Sequence, residues 1–355
     1  MTTHPLLDGP NFAERDPHCF WKELEGFPSQ CWAAQDLSLS RSPTPATPGE
    51  VRQIVILGMG GSAAGGDLLR AYMAGRLPIP IQISRGDGLP AGLGPETLLV
   101  AVSYSGNTEE TLAAFADALP KSPMAFGVTT GGSLAALVER QGLPGIRVPS
   151  GLMPRSALGF LFFSLLKILD AKGIMPFPKE DVAEALPLVE QLAAGFGPAR
   201  PTRDNEAKRL AVALEPRIPV VYGGPTTAMP AYRWKTQIEE NAKRLALSGV
   251  LPELNHNEVE GWADSEARRF HIVLLRDRGE GDGLARRMVV TRDLLRRRVG
   301  DVSEVWSRGE GFLARLLSLI VLGDWVSYYL ASLRGVDPWT IPAIDELKQR
   351  LRIAP

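Results

Sequence analysis

Two turns rich in glycine and hydroxyl groups carry the first chemical signal in this chain. Gly58-Met59-Gly60-Gly61-Ser62 follows the β-branched run Gln53–Leu57 and opens a helical pattern that reaches Ala74. Glycines at a strand-to-helix turn let the chain bend tightly and approach a ligand, and the free N–H groups with the helix dipole favour an anion. Alone, the turn also satisfies a dinucleotide-binding pattern through Gly58, Gly60 and Ala63. The third strand separates these readings. It runs into Ser103-Tyr104-Ser105-Gly106-Asn107-Thr108, where the hydroxyls of Ser103, Ser105 and Thr108 can donate to phosphate oxygens beside free backbone amides. A single such residue could be only a helix cap. The whole cluster, facing the glycine turn across the carboxyl ends of neighbouring strands, fits a monophosphate pocket better than a pyrophosphate groove. The second strand points the same way: it ends Ile83-Ser84-Arg85 with Asp87 beyond, and only an NADP site could use that arginine. The expected phosphate set is Gly60, Gly61, Ser62, Ser103, Ser105 and Thr108.

Four other side chains have the chemistry to move protons or to meet developing negative charge. Glu240 lies in Gln237-Ile238-Glu239-Glu240-Asn241 on a predicted helix. Adjacent glutamates are about 100° apart on a helix, so only one can face a given pocket. Local sequence alone would make Glu240 part of a solvated charged face with Lys243 and Arg244. His256 sits in the polar loop Leu254-Asn255-His256-Asn257-Glu258 and is one of four histidines; its ring is suited to proton exchange near neutrality, though a loop histidine is often mere surface. Glu253 and Glu258 are near it, but with no neighbouring histidine or cysteine a zinc site is not expected. Arg155, after Pro154, leads a strongly apolar helix and is either an interface residue or an anion stabiliser. Lys348 reads locally as a solvated helix lysine.

The elements that must position these groups alternate. Strands are predicted at Gln53–Leu57, Ile79–Ile83, Thr97–Ser103, Ala125–Thr129 and Ile146–Val148, with helices from the glycine turn, from Asn107 to Leu119 and from Ser133 to Gln141. Pro154 opens an apolar helix, Arg155 to Ala171. After a helical stretch broken by proline and glycine (Pro178–Pro201) and a polar helix (Arg203–Leu214), the pattern restarts. Strand Ile218–Tyr222 ends in Gly223-Gly224, and a helix to Leu245 and a loop follow. Next come strand His271–Arg276, helix Leu284–Arg298, strand Val302–Trp306 and a second apolar helix, Phe312–Leu333. This order means α/β architecture, twice over, each with a parallel sheet covered on both faces. The tail Ile341–Arg352 reads as a docked amphipathic helix.

The turns GMGGSAAGGD and SYSGNTEET together resemble the sugar isomerase (SIS) domain. PRSALG, WKTQIEENAK, LPELNHNEVEGW and IDELKQRL, in this order, resemble the bifunctional phosphoglucose/phosphomannose isomerase family of that superfamily, from about residue 50 onward. The resemblance implies two SIS subdomains of doubly wound, flavodoxin-like form at residues 51–172 and 203–336. They would be preceded by an N-terminal helical segment (1–50), joined by connecting helices (173–202) and followed by a C-terminal helix (337–355) that contributes to the active site. It implies conversion of glucose 6-phosphate, and of mannose 6-phosphate, to fructose 6-phosphate through a cis-enediol(ate). Glu240 then matches the family's catalytic glutamate, Arg155 an enediolate-stabilising arginine, and His256 with Lys348 the ring-opening pair. The family works without metal or cofactor as a homodimer, with His256 reaching the partner subunit's site. Two departures stand out: Glu239 where the family commonly has asparagine, and Asp337-Pro338-Trp339-Thr340 where it often has Asp-Pro-Thr-Pro. The second leaves the choice between glucose and mannose open.

Composition bounds these readings. With 355 residues, 45% hydrophobic and 22% charged, the chain has material for sizeable cores and is not a disordered protein. Lys plus Arg number 39 against 40 Asp plus Glu, so bulk charge gives no reason to expect nucleic-acid or membrane binding. Two cysteines make no disulfide scaffold. The N-terminus lacks signal-peptide order, and neither apolar run is expected to meet the roughly 20-residue requirement of a membrane helix, so a cytoplasmic protein is expected. The rival readings are a non-catalytic sugar-phosphate-binding SIS protein, an NADP-dependent reductase and an amidotransferring synthase. The last is disfavoured by the lack of a preceding glutaminase domain.

Overall fold

The structure, a computed structural model, describes residues 4–9, 16–47, 49–86 and 88–351; Asp87 and Arg352 lie outside the described residues. The chain divides into two units, one of residues 26–186 and one of residues 1–25 with 187–355. Helix α1 (Trp21–Glu25) belongs to the second of these and α2 (Phe27–Ala33) opens the first.

In the first unit β1 (Gln53–Leu57), α3 (Gly60–Met73), β2 (Ile81–Ser84), β3 (Thr97–Val102), α4 (Glu109–Ala118), β4 (Met124–Thr129), α5 (Gly132–Arg140) and β5 (Gly145–Arg147) follow in turn. The strands form one parallel sheet in the order β2-β1-β3-β4-β5, with Ile54 opposite both Ile81 and Leu98. This is the flavodoxin-like order expected from the sequence. Every residue of β3 is buried, as a parallel sheet covered on both faces requires. Val55, Leu57, Leu99 and Ala101 pack with Phe115 of α4 and Leu134 of α5. On the other face Ile56 and Ile83 lie under Gly66 of α3, where a Cβ would sit 2.8 Å from Ile83. The apolar helix starts later than its sequence suggests. Pro154–Ser156 form a 3-10 turn, and α6 runs from Leu158 to Ala171. The residues before β1 brace this unit: Gln30 donates to Ser156 O (2.9 Å) and accepts from Phe160 N (3.1 Å), satisfying an otherwise unpaired amide in the first turn of α6. Ser40 pairs with the edge strand β5 through Gly145. Helix α7 (Lys179–Phe196) passes at Pro187 into the other unit.

The second unit continues with α8 (Glu206–Leu214), β6 (Ile218–Gly223), α9 (Ala228–Ala242), β7 (Leu247–Val250), α10 (Glu258–Gly261), β8 (Phe270–Arg276), α11 (Asp282–Arg298), β9 (Val302–Trp306), α12 (Phe312–Arg334) and α13 (Pro342–Leu351). Its parallel sheet has the order β7-β6-β8-β9. Strand β7 occupies what the sequence presents as loop; Leu-Ser-Gly-Val is too short and too poor in β-branched residues to announce a strand. Helix α12 also departs from expectation. At 23 residues it is long and apolar enough to cross a membrane by length and composition, yet 94% of its most apolar window is buried inside the protein, where it is a core helix. The two charged residues within it do not break it because each is paired, Arg315 with Asp277 (2.7 Å) and Asp324 with Arg233 (2.8 and 3.0 Å), and the third, Arg334, stands in its last turn.

Helices α9 and α12 hold each other closely. Gly323 leaves room for the Trp234 indole, whose Nε1 donates to Leu319 O (2.7 Å), and Asn241 donates to Ser327 Oγ (2.9 Å). The Arg233–Asp324 pair is bidentate and buried. Burial pushes the Asp324 carboxyl up and the guanidinium draws it back. Helix α13 is amphipathic but undocked, against expectation. Its apolar residues Ile344, Leu347 and Leu351 are exposed, and the helix buries no residue.

Removing one member of a buried ion pair leaves the other charge stranded. Arg233→Met is expected to lower stability by about 3–5 kcal/mol, read as a fall in the thermal or denaturant midpoint. Arg233→Met with Asp324→Leu should recover most of that loss. A double variant as unstable as the single one would show that the pair is not what joins α9 to α12.

Candidate active site

The glycine turn and the hydroxyl turn adjoin in the first unit at the carboxyl ends of β1 and β3. These are neighbouring strands whose connections leave in opposite directions, the usual place for a ligand in an open parallel sheet. Tyr104 N donates to Ser62 Oγ (3.0 Å), tying one turn to the other. Gly60 takes φ +47° in the first turn and Gly106 φ +72° in the second, and Gly58 lies where a Cβ would stand 3.0 Å from Val102 O, so both turns depend on glycine geometry. Neither Met59 nor Thr108, the cap positions of α3 and α4, bonds its own helix through a side chain, which leaves the first amides of both helices to other acceptors.

The hydroxyls are not equivalent. Ser103 is fully buried and shares a 2.9 Å hydrogen bond with Thr108 Oγ1. Ser62 is buried as well, whereas Ser105 is exposed, with its oxygen accepting from Asn107 N (3.2 Å). Asn107 itself reaches the next helix: its Oδ1 accepts from Ser133 N (3.0 Å) at the start of α5. The sequence places Asn107 within the cluster but gives no sign of this structural task. Arg155 joins the same corner. Gly61 packs so closely on the 3-10 turn that an added Cβ would fall 2.7 Å from Arg155 N and from Pro154 C and O. Arg155 is buried. Arg85, the residue an NADP site would have used, is instead ion-paired with buried Asp67 of α3. A 2′-phosphate would have to break that pair.

The second unit carries the remaining candidates. Glu239 and Glu240 diverge on α9 as helical spacing requires: Glu239 pairs with Lys235 (2.8 Å), while Glu240 lies half-buried on the side of Arg233 and Gln237. The helix ends at Lys243, whose φ of +49° stops the spiral and whose ammonium donates to Glu240 O (2.9 Å), Asn241 O (3.3 Å) and Asp337 O (2.6 Å). His256 is exposed at the end of a 3-10 turn, Glu253–His256. Its loop is pinned from β6. Tyr222 OH donates to Glu258 Oε2 (2.8 Å) and accepts from Trp262 Nε1 (3.0 Å), and Asn255 donates to Thr291 (2.9 Å). Burial and the Glu258 carboxylate keep the Tyr222 phenol well above its ordinary pKa, hence protonated. This anchor escapes sequence reading because nothing near Tyr222 in sequence hints at Glu258. Lys348 is exposed on α13. Trp339, one of the departures noted above, stacks on His18 (centroids 5.4 Å apart), and His18 also meets Asp337 (3.0 Å). Among the described residues no three His, Cys, Asp or Glu side chains converge as a metal ion would require.

Residues 203–351 match the model of the bacterial phospho-glucose isomerase C-terminal SIS domain. The chain is 41% identical over 305 residues to the bifunctional phosphoglucose/phosphomannose isomerase of Caldicellulosiruptor bescii, covering 85% of this chain and 90% of that protein. It is 33% identical over 337 residues to the protein of the same name from Aquifex aeolicus, covering 94% and 98%. In fold it resembles a crystal structure described as a hypothetical protein from Thermus thermophilus, with TM-score 0.71, 18% identity, and 98% and 94% coverage.

The packing at Gly61 makes a testable demand. Alanine in a helical first turn would ordinarily gain up to about 1 kcal/mol over glycine, whereas forcing a methyl against backbone costs roughly 1–3 kcal/mol. Gly61→Ala is therefore expected to melt earlier than the parent and to bind inorganic phosphate at least ~10-fold more weakly by calorimetry. A variant of unchanged stability and affinity would contradict the placement of α3 on residues 154–155.

Proposed function

The chain belongs to the bifunctional phosphoglucose/phosphomannose isomerase family, and from that membership we propose how its residues work. The protein is an aldose–ketose isomerase that interconverts glucose 6-phosphate, and mannose 6-phosphate, with fructose 6-phosphate. The observation that carries this reading is the Tyr104–Ser62 hydrogen bond, which joins two turns of N–H and O–H donors into one compact anion site at the switch point of the first sheet. Such a site suits a single phosphate.

Gly60, Gly61, Ser62, Ser103, Ser105 and Thr108 hold the 6-phosphate; Ser103 acts largely through Thr108, since its hydroxyl is buried against it. His256 and Lys348 open the sugar ring, moving a proton between the ring oxygen and the anomeric hydroxyl. Glu240 then takes the proton from C2 of the aldose. The electron pair of that C–H bond forms the C1–C2 double bond, and the carbonyl oxygen becomes an enediolate oxygen that Arg155 stabilises. Return of the proton to C1, with transfer of the O2 proton to O1, yields the ketose. No step calls for a metal or a nucleotide. The protein acts in the cytoplasm as a homodimer whose His256 serves the neighbouring subunit, a reading supported by the exposure of the His256 loop and by the uncovered apolar face of α13. The non-catalytic alternative is not favoured, because relatives spanning most of the chain are isomerases.

General-base contributions are typically about 10²- to 10⁴-fold. Glu240→Gln should bind fructose 6-phosphate within a few-fold of wild type, lose at least ~100-fold in turnover and stop exchanging the C2 proton with deuterated water. Glu239→Gln, altered only at its Lys235 pair, should keep most activity in the same coupled assay with glucose and mannose 6-phosphates. A dead Glu239→Gln beside a normal Glu240→Gln would reverse the assignment.

The donation of His256 has its own test. Glu240→Gln and His256→Ala chains, each inactive alone, are mixed and allowed to exchange. If His256 serves the partner, each heterodimer contains one intact site, and activity rises to about a quarter of wild type for random pairing in a two-fold dimer. No recovery after demonstrated exchange would place His256 in its own subunit's site.

A further inference from the structure

In the second unit, the segments that lead into β6, β7 and β8 enclose a cavity of about 560 Å³ lined by Pro216–Ile218, Lys243–Leu245, Arg268, Arg269 and Arg334. Six of these residues are Lys or Arg, and none is acidic. That volume lies within the usual range for small-molecule sites. It opens at the amino ends of three parallel strands, the opposite edge from the β6 glycine turn, and includes none of the residues assigned above to the isomerisation.

Helix chemistry accounts for part of the charge. Lys243 closes α9, and Arg334 in the last turn of α12 donates to Ala242 O (3.1 Å); cations at helix C-termini meet unpaired carbonyls and the negative end of the dipole. Arg217 has Asp301 (3.1 Å) and Arg269 has Glu266 (2.9 Å), both exposed pairs of the kind that exchange freely with solvent ions. The rest is unexplained by folding. Arg244 is held by one hydrogen bond, from its terminal nitrogen to Arg217 O (2.7 Å), while its Nε is buried with no hydrogen-bond partner. Burial and the nearby Arg334 charge both disfavour its ionised form, against a weaker pull from Glu215. A buried unpaired donor among like charges is costly unless an acceptor arrives.

We propose that this cavity binds a small polyphosphorylated anion, a diphosphate or triphosphate group, with Arg244 at its floor and Arg268 at its rim. Several guanidinium groups converging on one cavity suit an acceptor that offers more than one charged oxygen. A monophosphate would leave most of them unsatisfied. The proposal is independent of the isomerase reading.

The test uses the full-length chain, with inorganic pyrophosphate and tripolyphosphate titrated by calorimetry at fixed ionic strength, and sodium sulfate as the control for simple screening. Binding is expected at one site per chain, tighter for tripolyphosphate than for pyrophosphate, undiminished by saturating fructose 6-phosphate, and weakened at least ~10-fold by Arg244→Met. Because Arg244 is partly buried, the exposed double variant Arg268→Ser with Arg269→Ser provides the same reading without disturbing the core, and it should weaken binding as strongly. Absence of saturable binding, equal binding by sulfate, displacement by fructose 6-phosphate, or unchanged affinity in the double variant would each overturn the proposal.

Discussion

Both sheets are governed by one topological constraint. The first strand of each lies inside the sheet, with the second strand on one side and the third on the other. Parallel strands need crossovers, crossovers are right-handed, and a reversal of direction therefore sends the flanking helices to opposite faces. The packing follows: α3 lies over Ile56 and Ile83, while α4 and α5 cover Val55 and Leu57. A crevice must open where the two directions part, and the turns at its mouth meet. In the first unit they meet as N–H and O–H groups around Ser62 and Tyr104. In the second the equivalent crevice is filled by the chain itself. Thr227 Oγ1 accepts from Gly224 N (2.8 Å) and donates to Leu275 O (3.0 Å), Gly224 lies against Leu284, and Arg276 is committed to Glu280 and Glu304. The same architecture therefore yields one turn pair with donors to spare and another whose donors are spent on folding.

The second unit puts its polar precision into helix placement. A buried ion pair is seldom a net source of stability, since desolvation of both charges offsets their attraction. What Arg233 and Asp324 provide is direction. Two near-parallel hydrogen bonds fix the rotation of α9 against α12, and Glu240 lies two turns along α9 from Arg233. An apolar contact would tolerate sliding by a residue; a bidentate guanidinium–carboxylate pair does not. Lys208 plays a similar part at the start of the chain, with its buried ammonium held by Leu7 O, Pro198 O and Asp8. Hydrogen bonds from His4, Lys208 and Thr202 overcome the effect of burial and hold Asp8 near pKa 2, so this clamp stays charged down to acid pH.

The strands and the phosphate turns are legible in the sequence because their signals are local. Gln53–Leu57 carries a β-branched run that ends in turn residues, and glycine spacing marks the first turn directly. What escapes depends on partners distant in sequence. Strand β7 exists because β6 offers it an edge, with Val220 opposite Leu247, not because Leu-Ser-Gly-Val prefers extension. Helix α12 is read as one long helix, but the length of its apolar stretch is understated because Arg315 and Asp324 look like interruptions until Asp277 and Arg233 are seen beside them. The anchor of the His256 loop joins Tyr222 to Glu258 and Trp262 across a separation no periodicity can bridge. The docked tail is a fair inference from its apolar stripe, but a stripe states only that something must cover it. Among the described residues of one chain, nothing does.

The two edges of the second sheet show how strand polarity sorts charge. Helices that run antiparallel to parallel strands bring their carbonyl ends to the amino edge, so that edge attracts lysine and arginine for reasons of folding alone. Lys243 and Arg334 satisfy that demand. Once two cations are fixed there, each further one is repelled, and Arg244, Arg268 and Arg217 would be expected to retreat into solvent or find carboxylates. Arg217 does find one in Asp301, but Arg244 is pulled inward with its Nε unpaired. The glycine turn of the first unit differs in kind, presenting neutral N–H and O–H groups around Ser62 and Tyr104 whose fields are short-ranged and little screened. Formal charges gathered in an open cavity reach further and yield more readily to salt. One chain of net charge −1 thus sets neutral donors at the carboxyl edge of one sheet and formal charges at the amino edge of the other.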